Sequence, residues 1–151
     1  MSPVSLDDIY RDRVILDHCR NPRNRRTLEA PDFSCDAINP FCGDEIHIQI
    51  KLGVNGRIKE VGCQSEGCAI NEAAGSLLSQ SIHGLTMDEA GNLSSKFVTM
   101  MKKKSSDPVS NHGDEIIKMS ELSALYQVRE FPVRIKCVLL AWTALDKGLE
   151  G

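Results

Sequence analysis

The chain has 151 residues, of which 41% are apolar and 26% charged, and its formal net charge is −3. This length is typical of one domain, and it is long enough to bury a core without disulfide support. The charge balance gives no indication of a nucleic-acid or anionic-membrane partner, because both select basic surfaces. No apolar run reaches the length of a membrane span, and the N-terminus does not have the pattern of a signal peptide. We therefore expect a single domain over residues 1–151 in the cytoplasm, with no nucleic-acid or membrane partner.

The first half of the chain predicts one helix followed by a small sheet. Helical spacing of apolar residues predicts the helix over residues 5–19, capped by its first residue. Loose alternation over 33–38, strict alternation over 45–52 and a return segment over 57–64 predict three strands, the last two joined by an Asn-Gly turn. We expect an antiparallel meander whose apolar face is covered by helices. The basic run over 20–26 is either a solvated connector or a docking strip for an acidic partner.

The second half of the chain predicts helices. One spans residues 67–82, and the next begins with a capping box at Thr86 and ends near the lysine run 102–104. A short helix is expected over 114–126. The last helix begins at Phe131-Pro132, with proline in its first turn, and is closed by Gly148. The segment 105–113 is typical of a linker.

Six cysteines are present, and in a reducing compartment they are expected to be free thiols. No CxxC pair occurs, which excludes the ligand pairs of zinc ribbons and the thioredoxin motif. Spacing alone is therefore a weak metal signal. Cys19, Cys35 and Cys63 are best interpreted as buried small side chains. None of the four histidines has a spacing that demands a role as ligand.

A thiol and a carboxylate stand two residues apart at Cys42 and Asp44, with Gly43 between them. Glycine lets the backbone turn, so both side chains can point at one spot, and this pair of donors suits a divalent metal such as zinc. The alternative is a turn cysteine beside a solvated aspartate. Cys68 stands at a predicted helix start, where the unpaired N–H groups favour a thiolate. Cys137 lies inside the last predicted helix and completes the candidate set.

Arg134 precedes Cys137 by three residues and therefore shares its helix face. Three thiolates and a carboxylate around a divalent cation leave a net negative charge, which a nearby guanidinium would offset. From composition and spacing alone, this four-residue site is plausible and no more.

Three separated blocks, PFCGDEI, SEGCAI and FPVRIKCVLLAW, resemble in order the U-type iron–sulfur assembly proteins, the group of IscU, NifU and SufU. The resemblance covers nearly the whole chain, including the segment DDIYRDRVILDHCRNPRN. The SufU type fits best, because Lys136 stands where the IscU type has a histidine before its third cysteine. The SufU type also carries an extra segment, to which residues 102–115 are similar. One departure is the pair Asn71-Glu72, where relatives more often have small, serine-rich positions.

The resemblance implies an α+β fold of the SufE/NifU-like kind, with a small antiparallel three-stranded sheet covered by helices. It implies one zinc ion held by three thiolates and one carboxylate: Cys42, Asp44, Cys68 and Cys137. Cys42 matches the sulfur-accepting thiol of the family. Arg134 and Lys136 would then lie beside the ligands. The implied partners are a SufS-type cysteine desulfurase, which passes on a persulfide sulfur, and downstream cluster-assembly proteins.

Three functions stay open at this point. The first is a zinc-dependent sulfur acceptor, a sulfurtransferase that acts only together with a cysteine desulfurase. The second is a scaffold, in which Fe²⁺ or a transient [2Fe–2S] cluster would use the same thiolates. The third, less favoured, is a structural zinc domain. Lys136 and the extra segment favour the first, although ligand types alone do not separate zinc from iron.

Overall fold

The structure, a computed structural model, describes residues 9, 11–39, 43–102 and 121–150, the last two without their side chains. In chain order the elements are α1 (Arg13–Arg20), β1 (Phe33–Asn39), β2 (Asp44–Leu52), β3 (Ile58–Glu66), α2 (Ala69–Ile82), α3 (Met87–Lys102), a 3₁₀ helix (Glu121–Glu130) and α4 (Pro132–Glu150). Cys42, the predicted linker over 105–113 and all but the first residue of the predicted insertion lie outside the described residues. Among the helices of the described ranges, none has the length and apolar character that a bilayer crossing requires.

The three strands form one antiparallel sheet in the order β1-β2-β3. Alternate residues of β2 point to the same face, and Ile46, Ile48 and Ile50 are buried there beneath α2 and α4. The opposite face carries polar residues such as His47, whose Nδ1 lies 2.6 Å from Asp36 Oδ1. The predicted α+β class, a three-stranded antiparallel sheet covered by helices, is confirmed.

The basic loop after α1 lies along the outer edge of β3. Cys63 N donates to Asn24 O at 2.8 Å, and Arg25 Nη1 donates to Ser65 O at 2.9 Å. These bonds satisfy backbone groups that an edge strand would otherwise expose. Arg25 in this loop is thus a structural residue of the sheet edge.

The first helix differs from its prediction because Asp12 interrupts it. Asp12 Oδ1 accepts hydrogen bonds from Val14 N at 2.9 Å and Ile15 N at 3.2 Å, so α1 begins at Arg13. Aspartate competes well for such a cap position, because its carboxylate satisfies N–H groups that have no partner inside the helix. The continuous helix predicted over residues 5–19 is therefore wrong at Asp12, and its predicted cap, Ser5, lies outside the described ranges.

The segment before α4 is also different from its prediction. Of the short helix predicted over 114–126, residues 114–120 lie outside the described ranges, and residues 121–126 belong to a 3₁₀ helix that runs on to Glu130. Leu122, Leu125 and Val128 are buried and recur every third residue, which is the period of a 3₁₀ helix. The predicted capping box of α3 is confirmed, since Glu89 N donates to Thr86 Oγ1 at 3.1 Å and Thr86 N to Glu89 Oε1 at 3.0 Å.

Gly148 does not end the last helix, which continues to Glu150. A Cβ at Gly148 would lie only 2.9 Å from Cys35 Sγ. The glycine therefore lets the end of α4 approach β1, and its role is close packing. The predicted helix end at this residue is wrong for that reason.

A second glycine shapes the turn from β3 to α2. Gly67 has a φ of +128°, and a Cβ there would overlap the Asp44 carboxylate and lie 2.9 Å from Asp44 Cα. Asp44 itself is fully buried at the start of β2. The turn thus lies directly against Asp44, and only glycine leaves room for both.

We predict that Gly67→Ala destabilises the fold far more than Gly56→Ala. Gly56 also has a positive φ, +77°, but a Cβ there would meet nothing within 4 Å. The control should lose about 1 kcal/mol from its left-handed backbone alone. Gly67→Ala should lose at least ~3 kcal/mol, because backbone strain and overpacking add. Urea unfolding with EDTA and reductant present measures both losses, and equal losses would contradict this view of the turn.

Candidate metal centre

Asp44, Cys68 and Cys137 come together at one end of the sheet. One ligand atom from each lies within 4.8 Å of the ligand atoms of the other two. Each side chain comes from a different element, since Asp44 starts β2, Cys68 caps α2 and Cys137 lies in the second turn of α4. Asp44 and Cys137 are buried, whereas Cys68 is partly exposed. The cluster is therefore enclosed by the protein at Asp44 and Cys137 and accessible to solvent at Cys68.

Asp44 connects two parts of the cluster through its two carboxylate oxygens. Oδ1 accepts a hydrogen bond from Cys68 N at 2.9 Å, and Cys68 Sγ donates to Oδ2 at 3.6 Å. The Cys68 side chain makes no capping hydrogen bond at the start of α2. The Asp44 carboxylate accepts the Cys68 N–H instead and lies at the positive end of this helix. These bonds compensate the carboxylate for its burial and aim one of its oxygens at the Cys68 thiol.

Burial raises the pKa of the Cys137 thiol, and its hydrogen bond with Asp44 and the neighbouring Cys68 raise that pKa further. Without a cation, burial and the carboxylate of Asp44 both favour the protonated form of Cys137, so this thiol keeps its proton. A divalent cation between them reverses this balance, because its charge favours the thiolates. The cluster therefore has the electrostatics of a metal-binding site.

The donor set fits zinc. With Zn–S near 2.3 Å and Zn–O near 2.0 Å, a tetrahedral site separates a sulfur from an oxygen by about 3.5 Å. The Cys68 Sγ–Asp44 Oδ2 distance is 3.6 Å, so these two atoms already have that spacing. A fourth ligand is required, and the sequence predicts Cys42, which lies outside the described residues. Its neighbour Gly43 has a φ of +73°, the backbone conformation for which glycine is favoured.

The remaining cysteines do not join the cluster. Cys35 and Cys63 are buried in the core, as predicted, and burial raises the pKa of their thiols to about 11 and about 12. Cys19 is half-buried and donates to Ala69 O at 3.0 Å, and burial raises the pKa of its thiol to about 11. All three are therefore neutral thiols near pH 7.

The histidines in the described part of the chain are likewise outside the cluster. His18 is fully buried, and its Nδ1 lies 2.7 Å from Ser76 Oγ. Burial is the main cause of a lowered pKa for His18, so the ring is neutral near pH 7. His83 is the C-cap of α2, at the end opposite to Cys68, and its Nε2 lies 3.0 Å from Lys59 O. On α4, Arg134 is partly exposed and Lys136 exposed, and their proposed place beside the ligands stays a prediction.

Asn71 is a buried residue near the cluster that the sequence analysis did not place in the site. It lies in the first turn of α2, three residues after Cys68, and its side-chain amide contacts the backbone of β2 and β3. A signal was available, because a polar side chain three residues after a ligand shares the ligand's helix face.

The chain is similar in sequence to known proteins over most of its length. The family model "NifU-like N terminal domain" matches residues 9–136. The zinc-dependent sulfurtransferase SufU of Bacillus subtilis (strain 168) is 37% identical, over 97% of this chain and 92% of its own. The iron–sulfur cluster assembly scaffold protein IscU of Streptococcus pyogenes serotype M1 is 28% identical, over 99% of this chain and 88% of its own.

The fold has the same relatives. The crystal structure of SufU from Fervidobacterium islandicum AW-1 superposes with a TM-score of 0.80 at 26% identity, and the match covers 96% of this chain and 99% of that one. The sequence resemblance to U-type assembly proteins is thereby confirmed. The chain belongs to the NifU-like N-terminal domain family of iron–sulfur cluster assembly proteins.

Proposed function

We propose that this protein is a zinc-dependent sulfur acceptor that takes sulfur from a SufS-type cysteine desulfurase and feeds cluster assembly. The observation that carries the proposal is the convergence of Asp44, Cys68 and Cys137 donor atoms within 4.8 Å. The similarity to a zinc-dependent sulfurtransferase over almost the whole chain supports the same activity. Cys42 is proposed as the fourth ligand and as the acceptor thiol.

Zinc bound at this centre would keep the ligating thiols deprotonated while lowering their reactivity. Asp44, Cys68 and Cys137 belong to a strand and two helices, which hold their positions. Cys42 falls in the connection between β1, which ends at Asn39, and β2, which begins at Asp44. A ligand from a connection can be released with less disturbance of the core than a ligand from a packed element. This difference supports Cys42 as the thiolate that reacts.

The transfer is a thiol exchange at sulfur. The Cys42 thiolate attacks the outer sulfur of the cysteine persulfide on the desulfurase and forms a new S–S bond with it. The S–S bond within the desulfurase persulfide breaks, and the desulfurase cysteine leaves as a thiolate. Cys42 then carries the persulfide, and no external oxidant or reductant is consumed. Downstream cluster-assembly proteins would receive this sulfur.

We predict that Cys42→Ala abolishes stimulation of a SufS-type desulfurase, because the acceptor sulfur is removed. The assay measures alanine release from cysteine and, by mass spectrometry, the addition of one sulfur atom to the acceptor. Cys35→Ala is the matched control, since Cys35 is a buried thiol that donates to Ile48 O, in the middle of the sheet. The control should stimulate like the wild type. Full stimulation by Cys42→Ala would remove Cys42 from the mechanism.

Two exposed apolar residues lie close to the centre along the fold. Ile38 is 60% exposed beside Asn39, which pairs with Asp44, but strand alternation puts its side chain on the sheet face opposite to Asp44. Val133 is 81% exposed and stands one helical turn before Cys137. Val133 is the stronger candidate for a contact with a partner protein, because it shares a helix face with a residue of the cluster. We propose that the desulfurase contacts this end of the sheet.

We predict that Val133→Glu raises the concentration needed for half-maximal desulfurase stimulation about fivefold or more. A charge placed at an apolar contact costs more than ~1 kcal/mol of binding, whereas an acid in the first turn of α4 is well tolerated by the fold. Val54→Glu is the control, because Val54 is fully exposed in the hairpin turn at the opposite end of the sheet. If both variants behave alike, the contact lies elsewhere.

A scaffold for a [2Fe–2S] cluster is the second candidate function. The similarity to a Streptococcus pyogenes scaffold protein, over nearly the full length, favours it. The same thiolates suit iron–sulfur clusters, which are held mainly by cysteine. This alternative differs from the first in the metal that the protein retains.

Metal content decides between the two functions. The sulfur-acceptor proposal predicts a colourless protein with one zinc per chain, whose stimulation of the desulfurase falls on chelation and returns with added zinc. Anaerobic purification, elemental analysis and the visible spectrum provide the measurement. A brown protein with stoichiometric iron and sulfide would support the scaffold instead.

A further inference from the structure

The side chain of Asn71 bridges the two backbone segments that carry Asp44 and Cys68. Its Nδ2 donates to Glu45 O at 3.2 Å and to Glu66 O at 3.0 Å. Glu45 directly follows Asp44, and Glu66 stands two residues before Cys68. Glu45 and Glu66 are also the last partners of the β2–β3 ladder. The amide therefore joins the two strands at the end where the cluster lies.

This arrangement is unfavourable in one respect. Asn71 is fully buried, and its Oδ1 is without a hydrogen-bond partner among the residues that the structure describes. An unsatisfied buried acceptor destabilises a fold, and asparagine is a poorer helix former than the alanines around it. Glu45 and Glu66 are themselves partly exposed and exposed residues, so the bridge adds little buried apolar area. Fold stability alone thus gives little reason for asparagine here.

A second hydrogen bond also joins the start of β2 to the turn between β3 and α2. Cys68 N donates to Asp44 Oδ1 at 2.9 Å, and Gly67 lies against the Asp44 carboxylate. The Asp44–Cys68 contact therefore depends on how closely the β3–α2 turn approaches the start of β2. Asn71 stabilises this close approach, because its side chain donates hydrogen bonds to the backbone of both segments.

We propose that Asn71 is a positioning residue of the metal centre. Its amide sets the separation of the Asp44 and Cys68 ligands and so increases the affinity and fixes the geometry of the bound divalent metal. This inference rests on the proposed function, because it takes Asp44 and Cys68 as ligands. Asn71 has no contact with the donor atoms among its hydrogen bonds, so it acts through the backbone of Glu45 and Glu66.

The test compares Asn71→Leu and Asn71→Ala with Ser79→Ala. Leucine has nearly the shape of asparagine but no donor, and alanine covers the case in which leucine does not fit. Ser79 is a fully buried control on the same helix, whose hydroxyl oxygen lies 2.8 Å from Ser76 O and 3.2 Å from Arg23 O, away from the cluster. Zinc affinity is measured by competition with a chelator, and Co²⁺ substitution reports ligand geometry through its absorption spectrum.

Loss of a residue that orients a ligand lowers metal affinity by about 10- to 100-fold. We expect that loss of zinc affinity, together with an altered Co²⁺ spectrum, in both Asn71 variants. Ser79→Ala should keep the wild-type affinity and spectrum, although it also loses stability in urea. Wild-type affinity and spectrum in a folded Asn71 variant would overturn the inference, and so would unfolding of both variants, since the role would then be structural. Wild-type protein that binds no zinc would instead overturn the proposed function.

Discussion

The buried carboxylate of Asp44 is the constraint on which the rest of the site depends. It accepts the Cys68 backbone N–H at 2.9 Å, points its second oxygen at the Cys68 thiol and leaves no space for a side chain at Gly67. A charged group in the interior is stable only when its neighbours are polar or cationic. A helix N-terminus and two thiols are among the neighbours of Asp44. The fold therefore brings together donor atoms that suit a divalent cation.

The sheet and helices provide the support for this place. Asp44 lies at the first position of β2, at one end of the sheet, and the short turn after β3 places Cys68 beside it. The helix α4 packs on the buried face of the sheet and carries Cys137. Gly148, at the other end of α4, permits the close packing of this helix against β1. Three donor side chains that are far apart in the sequence thus meet because each lies near the beginning of a packed element.

The sequence predicted the regular parts of this structure well, because local patterns determine them. The strict alternation in β2 and the capping box at Thr86 are properties of neighbouring residues, and both are present in the structure. The interruption at Asp12 was missed because one strong cap outweighed a continuous apolar stripe. The helix predicted over 114–126 differs in type and end, because Leu122, Leu125 and Val128 recur with the period of three of a 3₁₀ helix.

The site was only partly predictable. Spacing could nominate Asp44, Cys68 and Cys137 but could not show that they meet, because the distance between them is set by tertiary packing; the family resemblance supplied that expectation. The roles of Gly148 and Asn71 depend on contacts with distant strands, which no local pattern encodes. A glycine near a helix end normally suggests termination, and here packing against Cys35 prevails.

The most direct measurement of the central proposal is X-ray absorption spectroscopy at the zinc edge of the zinc-loaded protein. One zinc bound by Cys42, Asp44, Cys68 and Cys137 requires three sulfur neighbours at about 2.3 Å and one oxygen at about 2.0 Å, with one sulfur fewer in Cys42→Ala. A zinc shell of oxygen and nitrogen only, or a sulfur count that Cys42→Ala leaves unchanged, would contradict it.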